Sequence, residues 1–216
     1  MTRPLSRRDL VLLALIPPVG WGIHRLLAGR TPLGADLGDR PLVAALLADR
    51  APPAREAAGA TLTVVVFTGY QCPACKAAAP ALERAAARDS KVRISYRDWP
   101  VFGPVSVRAA RVAIAAAAQG IYPALHARLM AESRTLTDAV LAEAIAASGG
   151  DWPRALVELE RRSAAIDRLL ADTAQAAFQL GVTGTPAFLI GPVLVKGALD
   201  EEAFGRAFAE GREAGR

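Results

Sequence analysis

The stretch TLTVVVFTGYQCPACK, residues 61–76, joins an apolar, β-branched run to the only two cysteines of the 216-residue chain. The run Thr61–Phe67 is typical of a strand that is buried on both faces. From residue 73 to residue 88 the pattern becomes helical. Cys72 and Cys75 are therefore predicted to lie where a buried strand passes into a helix.

Two cysteines separated by two residues can bind a metal, cross-link the fold or carry out redox chemistry. Zinc takes four ligands, but the two histidines, His24 and His126, lie far from the cysteines in the sequence. A zinc site that bridges two chains, each giving one cysteine pair, stays open as an alternative. As a structural cross-link the pair closes a loop so short that it removes little chain entropy. The residues favour redox chemistry.

The redox interpretation has a physical basis in the start of the helix. Cys72 lies at the positive end of the helix dipole, beside unpaired backbone N–H groups that stabilise a thiolate. Pro73 suits the first helical position, where its missing N–H is not needed. Cys75 follows on the same helix face at i+3, so the two sulfurs can bridge.

The net charge of +5 does not indicate a nucleic-acid-binding protein. About +4 of it lies in residues 1–30, and the rest of the chain shows no basic stripe and no nucleic-acid motif. Residues 1–8 are basic and Leu10–Ile23 form an apolar run, a combination that resembles an export signal. SRRDLV at residues 6–11 is similar to the twin-arginine export motif. We predict an exported protein, or one anchored in the membrane through residues 1–35.

The remaining chain alternates between strand and helix patterns. Residues 36–59 are predicted to be a linker with one short helix. Residues 91–99, KVRISYRDW, alternate apolar and polar positions as a second strand does. Ala187–Ile190 and Val193–Val195 are predicted to form a hairpin, and Leu199–Gly211 a closing helix. Helices are also predicted at 105–119, 122–130, 137–148 and 152–180.

Four segments make the sequence similar to the thioredoxin superfamily and, within it, to the bacterial DsbA-like thiol–disulfide oxidoreductases. They are the strand 61–67, YQCPACK at 70–76 with Pro80 behind it, YRDWPVFGPVSVRAA at 96–110 and GVTGTPAFLIG at 181–191. The resemblance covers roughly residues 60–210. It implies an α/β fold, the thioredoxin fold with an inserted all-helical domain. The implied division is an N-terminal segment 1–35, a linker 36–59, a first fold half 60–103, a helical insertion 104–175 and a second fold half 176–216.

The resemblance also implies roles for the residues at the site. Cys72 is the exposed attacking sulfur and Cys75 the resolving one, and Pro73-Ala74 between them tunes the pair. Thr185-Pro186 faces the active site, with a cis bond and a backbone that pairs with the substrate chain. No cofactor and no metal are implied.

The implied function is thiol–disulfide exchange with cysteines of exported proteins, in the periplasm or cell envelope and in the direction of dithiol oxidation. A membrane or envelope redox partner resets the pair. Two departures keep a disulfide reductase or isomerase as an alternative. Many relatives carry a buried carboxylate where Val66 stands here, and threonine before the proline, as at Thr185, is more typical of the reductase and isomerase branch. An alternative of another class is an envelope chaperone or binding module.

Four further residues near these motifs have testable interpretations. Tyr70 is predicted to line an apolar groove for unfolded substrate. Asp98 either tunes the site or, as we favour, caps the loop before the next proline. Lys76 either acts on Cys75 or solvates the helix face, and His126 is predicted on a helix face rather than in catalysis. The other aromatic residues considered for the groove are mostly expected in the core: Phe67, Trp99, Phe102, Phe178 and Phe188.

Overall fold

The computed structural model describes residues 32–216, so residues 1–31 of the predicted N-terminal segment lie outside it. The described strands are β1 (Ala35–Asp36), β2 (Ala54–Arg55), β3 (Leu62–Thr68), β4 (Val92–Asp98), β5 (Ala187–Ile190) and β6 (Val193–Lys196). The α-helices are α1 (Pro41–Ala48), α2 (Pro73–Arg88), α3 (Pro104–Ala116), α4 (Tyr122–Ala131), α5 (Asp138–Ala147), α6 (Trp152–Arg161), α7 (Ser163–Gln179) and α8 (Glu201–Ala214). Within residues 32–216, no helix is both long enough and apolar enough to cross a membrane.

The six strands form one mixed sheet in the order β1-β6-β5-β3-β4-β2. β3 and β4 pair in parallel at its centre, and every other pair is antiparallel. The hairpin of β5 and β6 agrees with its prediction, and the central strands lie within a residue of theirs. Because parallel strands end at the same edge, the segments that follow β3 and β4 emerge side by side.

The polar residues of β4 are buried, although the strand alternates apolar and polar positions. Arg93 and Arg97 share a sheet face with Phe67, as the parallel register shows. Helices α1 and α7 cover that face with an apolar cluster. Each buried guanidinium has an acidic partner: Arg93 Nε lies 2.9 Å from Glu56 and Arg97 Nη2 lies 2.5 Å from Asp49. These ion pairs allow a charged strand to lie inside the fold.

The segment predicted as a linker contributes both edges of the sheet. β1 pairs with β6 and β2 pairs with β4. Gly34 lies so close to β6 that a Cβ atom there would be 2.5 Å from the Leu194 carbonyl oxygen. The predicted boundary between residues 35 and 36 therefore falls inside β1. Two-residue edge strands are too short to show a period-2 pattern in the sequence.

The helices between β4 and β5 differ from the predicted set at one point. The helix predicted over 152–180 is divided at Arg162, which has φ −107° and ψ 11° and separates α6 from α7. The division lets the two helices pack differently, because α6 lies on α3 whereas α7 also reaches β4. The predicted insertion boundary at residue 175 falls inside α7, whose Ala176 and Ala177 pack with β3 in the sheet core.

The opposite face of the sheet is covered by α2 and α8, which also pack on each other. Phe188 of β5 meets Phe204 of α8 edge to face, with ring centroids 4.9 Å apart. Cys75 and Leu82 lie on the buried side of α2. The N-terminus of α2 therefore lies at the edge where β3 and β4 end.

Candidate active site

The two cysteines lie at the N-terminus of α2 as predicted. Cys72 has an extended backbone and caps the helix, because its Sγ accepts a hydrogen bond of 3.2 Å from the Cys75 N–H. Both residues are free thiols. From the sequence, we predict that backbone N–H groups at the start of this helix stabilise a thiolate on Cys72, and this hydrogen bond is one such contact.

The prediction that Cys72 is exposed is wrong for this structure. Cys72 is 2% exposed and Cys75 1%. The carbonyl oxygen of Thr185 lies 3.3 Å from Cys72 Sγ, which donates its thiol proton to it. The following Thr185–Pro186 peptide bond is cis, in agreement with the expectation. Pro73 and Ala74 are exposed beside the covered sulfur.

A small cavity lies beneath Cys75, on the face of the sheet that α2 covers. Its volume is about 10 Å³, and Val66, Thr68, His126 and Pro186 contribute to its lining. Burial, together with the hydrogen bond to Cys72, raises the pKa of the Cys75 thiol to about 11, against smaller opposing effects of Thr185 and Thr68. Cys75 therefore holds its proton strongly in the reduced protein.

A buried polar cluster lies next to this cavity. The Tyr122 hydroxyl donates to Asp98 Oδ2 over 2.8 Å, and the Tyr70 hydroxyl donates to the Tyr122 oxygen over 3.1 Å. The Tyr70 oxygen is also 3.3 Å from His126 Nδ1. We call these four residues the Asp98 relay.

The contacts of the Asp98 relay correct two of the sequence interpretations and refine a third. Tyr70 is 1% exposed, so its side chain does not line an exposed groove. Asp98 is 3% exposed and binds a tyrosine of α4 instead of capping its own loop. His126 lies on a helix, but on its buried side. No role for Tyr122 was predicted from the sequence. The one indication in the sequence is its spacing: Tyr122 lies four residues before His126, which places both on one face of the helix.

Comparison with known proteins assigns the family. The family described as a DSBA-like thioredoxin domain matches residues 63–209. The chain belongs to this DsbA-like family. Its members are thiol–disulfide oxidoreductases with a thioredoxin-like fold, which confirms the predicted fold class, a thioredoxin fold with inserted helices.

Three solved structures are similar to this DsbA-like chain. A thioredoxin-like oxidoreductase from Silicibacter pomeroyi DSS-3 is 30% identical with a TM-score of 0.73, covering 78% of this chain and 96% of that one. A periplasmic thioredoxin-like protein from Salmonella enterica serovar Typhimurium is 29% identical with a TM-score of 0.69, covering 81% and 98%. The catalytic domain of Proteus mirabilis ScsC is 27% identical with a TM-score of 0.70, covering 80% and 98%.

A curated relative of the DsbA-like chain is a much longer protein. It is named Na(+)/H(+) antiporter NhaA 3, comes from Salinispora tropica, and is 31% identical over 180 residues. The match covers 79% of this chain and 27% of the relative. The chain therefore spans about a quarter of the length of that relative.

Lys76 connects the active-site helix of this DsbA-like protein to the inserted helices. Its ammonium group donates to the Glu132 carbonyl oxygen. Lys76 and Glu132 both line an open cavity of about 590 Å³ next to Pro73. Its hydrogen bond is therefore made to the inserted part, not to Cys75.

The aromatic residues considered for a groove divide between core and surface. Phe67 and Phe188 are buried, as most of these residues were expected to be. Phe102 is half exposed in the loop after β4, and Phe178 is largely exposed on α7. Val101 and Val105 are exposed beside Phe102, so one apolar patch lies after the end of β4.

Because the Asp98 carboxyl is buried, we predict that the free energy of unfolding decreases as the pH rises from acid to neutral. Burial raises the pKa of Asp98 to about 7, against the smaller opposing effects of Tyr122 and Tyr70. A carboxyl whose folded-state pKa is raised stabilises the fold below its unfolded pKa, about 3.9, and that contribution is lost as the pH rises to about 7.

We expect the free energy of unfolding of the wild type to fall between pH 4 and pH 7 relative to Asp98→Asn, by about 1.4 kcal/mol for each pH unit. Urea unfolding of both proteins across this range measures the difference. Parallel curves for the two proteins would show that Asp98 titrates as an ordinary surface carboxyl.

Proposed function

We propose that this DsbA-like protein oxidises pairs of thiols in exported proteins through a reversible Cys72–Cys75 disulfide. The observation that carries the proposal is the placement of Cys72. Its sulfur accepts a hydrogen bond from the N-terminus of α2 and lies 3.3 Å from the Thr185 carbonyl oxygen. A thiolate at such a helix terminus is a good leaving group and nucleophile.

The exchange proceeds in two steps that conserve atoms and electrons. A substrate thiolate attacks Cys72 Sγ of the oxidised protein, the disulfide breaks, and Cys75 leaves as a thiolate that takes up a proton. A second substrate thiolate then attacks the substrate sulfur of the mixed disulfide, and Cys72 leaves. The substrate gains a disulfide, and its two electrons remain on Cys72 and Cys75.

The loop before β5 and the patch after β4 supply the proposed substrate-binding surface. Thr185 and Pro186 adjoin the two cysteines, and the backbone of this loop suits pairing with an extended substrate chain. Val101, Phe102 and Val105 offer exposed apolar side chains after β4. Unfolded substrate presents apolar residues of the kind that such a patch binds.

We place the activity in the periplasm or cell envelope. The basic and apolar N-terminal residues and the similar periplasmic protein of Salmonella support this location. Oxidation of substrate leaves the cysteine pair reduced, so a membrane or envelope redox partner must accept the electrons. The proposed substrates are thiol-containing exported proteins.

A disulfide reductase or isomerase is a second candidate that uses the same cysteines. Thr185 before the cis proline and the apolar Val66 beneath Cys75 favour it. In this direction the Cys72 thiolate attacks a substrate disulfide, and Cys75 resolves the mixed disulfide. A chaperone or binding module is the candidate of another class.

An equilibrium titration in glutathione buffers tests these candidates. The Cys72–Cys75 disulfide is followed by mass after thiol trapping, and its fraction gives the reduction potential. We expect a potential near the roughly −120 mV of a strong disulfide donor. A potential at or below about −200 mV would assign reduction or isomerisation instead. If no reversible disulfide forms, the protein is not an oxidoreductase through this pair, and a binding role remains.

A further inference from the structure

Within residues 32–216, no carboxylate lines the cavity beneath the resolving thiol, Cys75. Cys75 is buried with a raised pKa, yet it must become a thiolate to resolve a mixed disulfide. Val66 occupies the position where many relatives carry an acid, and it lines the cavity beneath Cys75. Thr68 and His126 are the residues with polar side chains, besides Cys75 itself, in that lining.

His126 connects this cavity to the Asp98 relay. Each tyrosine has one hydroxyl proton. Tyr122 donates its proton to Asp98, and Tyr70 donates its proton to Tyr122. The 3.3 Å contact between His126 Nδ1 and the Tyr70 oxygen is therefore completed by a proton on Nδ1. In a neutral imidazole this leaves Nε2 as a proton acceptor.

Asp98 lies on the same face of the sheet as Val66, the position at which the acid of many relatives is missing here. The parallel register pairs Val66 with Tyr96 and Thr68 with Asp98, so Asp98 is on the same sheet face as Val66, one strand away. Among the described residues, its Oδ1 has no hydrogen-bond partner. An unpartnered buried oxygen disfavours the charged carboxylate and therefore favours the protonated form of Asp98.

We propose that Asp98 is the proton acceptor and donor for Cys75, and that the Asp98 relay carries the proton between them. The proposal rests on the proposed function, because the relay acts on the second cysteine of the exchange. The cavity that Cys75 and His126 both line is about 10 Å³, close to the space that one water molecule needs. The transfer between these two residues takes place across this small cavity.

Each transfer conserves protons. The Cys75 thiol gives its proton to His126 Nε2 while Nδ1 passes its own proton to the Tyr70 oxygen. Tyr70 and then Tyr122 each pass their hydroxyl proton onward, and the last one reaches Asp98. The result is a Cys75 thiolate, a neutral Asp98 and a histidine in its other neutral tautomer. The thiolate attacks Cys72, and the substrate leaves as a thiolate.

The electrostatics favour storage of the proton on the aspartate rather than on the histidine. Burial lowers the pKa of His126 to about 3, so a stable imidazolium is disfavoured. Burial raises the pKa of Asp98 to about 7, which makes this carboxyl the stronger base of the two. A tautomer shift lets the imidazole pass a proton without becoming charged.

Several titratable groups surround the relay without belonging to it. Tyr96 of β4 lies against His126 with ring centroids 4.5 Å apart, but its hydroxyl donates to Glu83 of α2. Glu83 also pairs with Arg55 of β2. Lys76, Glu83 and Arg84 line a cavity of about 310 Å³ on α2 that His126 also reaches.

The test separates formation of the mixed disulfide from its resolution. The reduced protein is mixed with oxidised glutathione, quenched with acid at successive times and weighed by mass spectrometry. We expect Asp98→Asn and Tyr70→Phe to form the Cys72–glutathione disulfide at the wild-type rate and to resolve it about 100-fold more slowly, the lower end of what general acid–base catalysis contributes. The inflection near pH 7 in the wild-type resolution rate should vanish in Asp98→Asn.

Tyr96→Phe is the matched control, because it removes a buried phenol hydroxyl next to the same histidine but outside the relay. It should resolve at the wild-type rate, whereas Val66→Glu should restore resolution to Asp98→Asn. The proposal is overturned if Asp98→Asn and Tyr70→Phe resolve normally, or if Tyr96→Phe is slowed as much as they are. If the wild type itself forms no Cys72–Cys75 disulfide, it is the proposed function that fails.

Discussion

Replacing Cys72 with serine is expected to reduce disulfide exchange to the uncatalysed rate. A serine hydroxyl has no accessible anion near neutral pH and cannot form the S–S bond on which each step depends. The remaining thiol, Cys75, has a pKa raised to about 11, so it cannot replace the lost nucleophile. Reduction of insulin by dithiothreitol, followed by turbidity, measures the catalysed rate.

Cys75→Ser is the control for that experiment. It keeps Cys72 and its position at the start of α2, so the first attack still takes place. The mixed disulfide then has no resolving thiol and accumulates to about one equivalent, visible by mass. Catalysis by Cys72→Ser at the wild-type rate would show that the cysteine pair is not the active site.

The largest loss of stability is expected from Phe204→Ala. Phe204 is 0% exposed and packs between Phe188 and Phe208, with ring centroids 4.9 Å and 6.1 Å away. Its removal leaves a cavity between α8 and the sheet and should cost about 3–5 kcal/mol of unfolding free energy. Urea unfolding monitored by circular dichroism measures the change.

Phe178→Ala provides the comparison, since the same side chain is deleted from a helix surface. Phe178 is 82% exposed on α7, and its loss should change stability by less than about 0.5 kcal/mol. Equal effects of the two substitutions would mean that Phe204 does not lie in the core. Because Phe188 also lines the cavity beneath Cys75, Phe204→Ala should disturb the resolving cysteine as well.

The sequence predicts the local parts of the site well. The buried strand before Cys72, the helix that begins at Pro73 and the hairpin after Pro186 all appear near their expected positions. Each depends on residues that are close in the chain, because strand period, helix start and turn residues are local signals. The single cysteine pair with its spacing was enough to indicate the chemistry.

The predictions that failed concern which side chains are buried. Tyr70 and Cys72 were expected at the surface and are covered. The polar positions of β4 are buried as well, because α1 and α7 cover them and acidic residues pair with its arginines. Whether a residue is buried depends on helices and strands that are distant in the sequence. The periodicity of the local sequence does not show which of them pack against it.

The sequence by itself determined the position of the reactive cysteines, the strand and helix that hold them, and the family to which the chain belongs. Only the tertiary structure decided what surrounds the resolving thiol. Tyr70 and His126 are 56 positions apart, and their 3.3 Å contact exists because α4 packs on the sheet face beneath α2. Burial there raises the pKa of Asp98 and Cys75 and lowers that of His126, because loss of water disfavours each charged form.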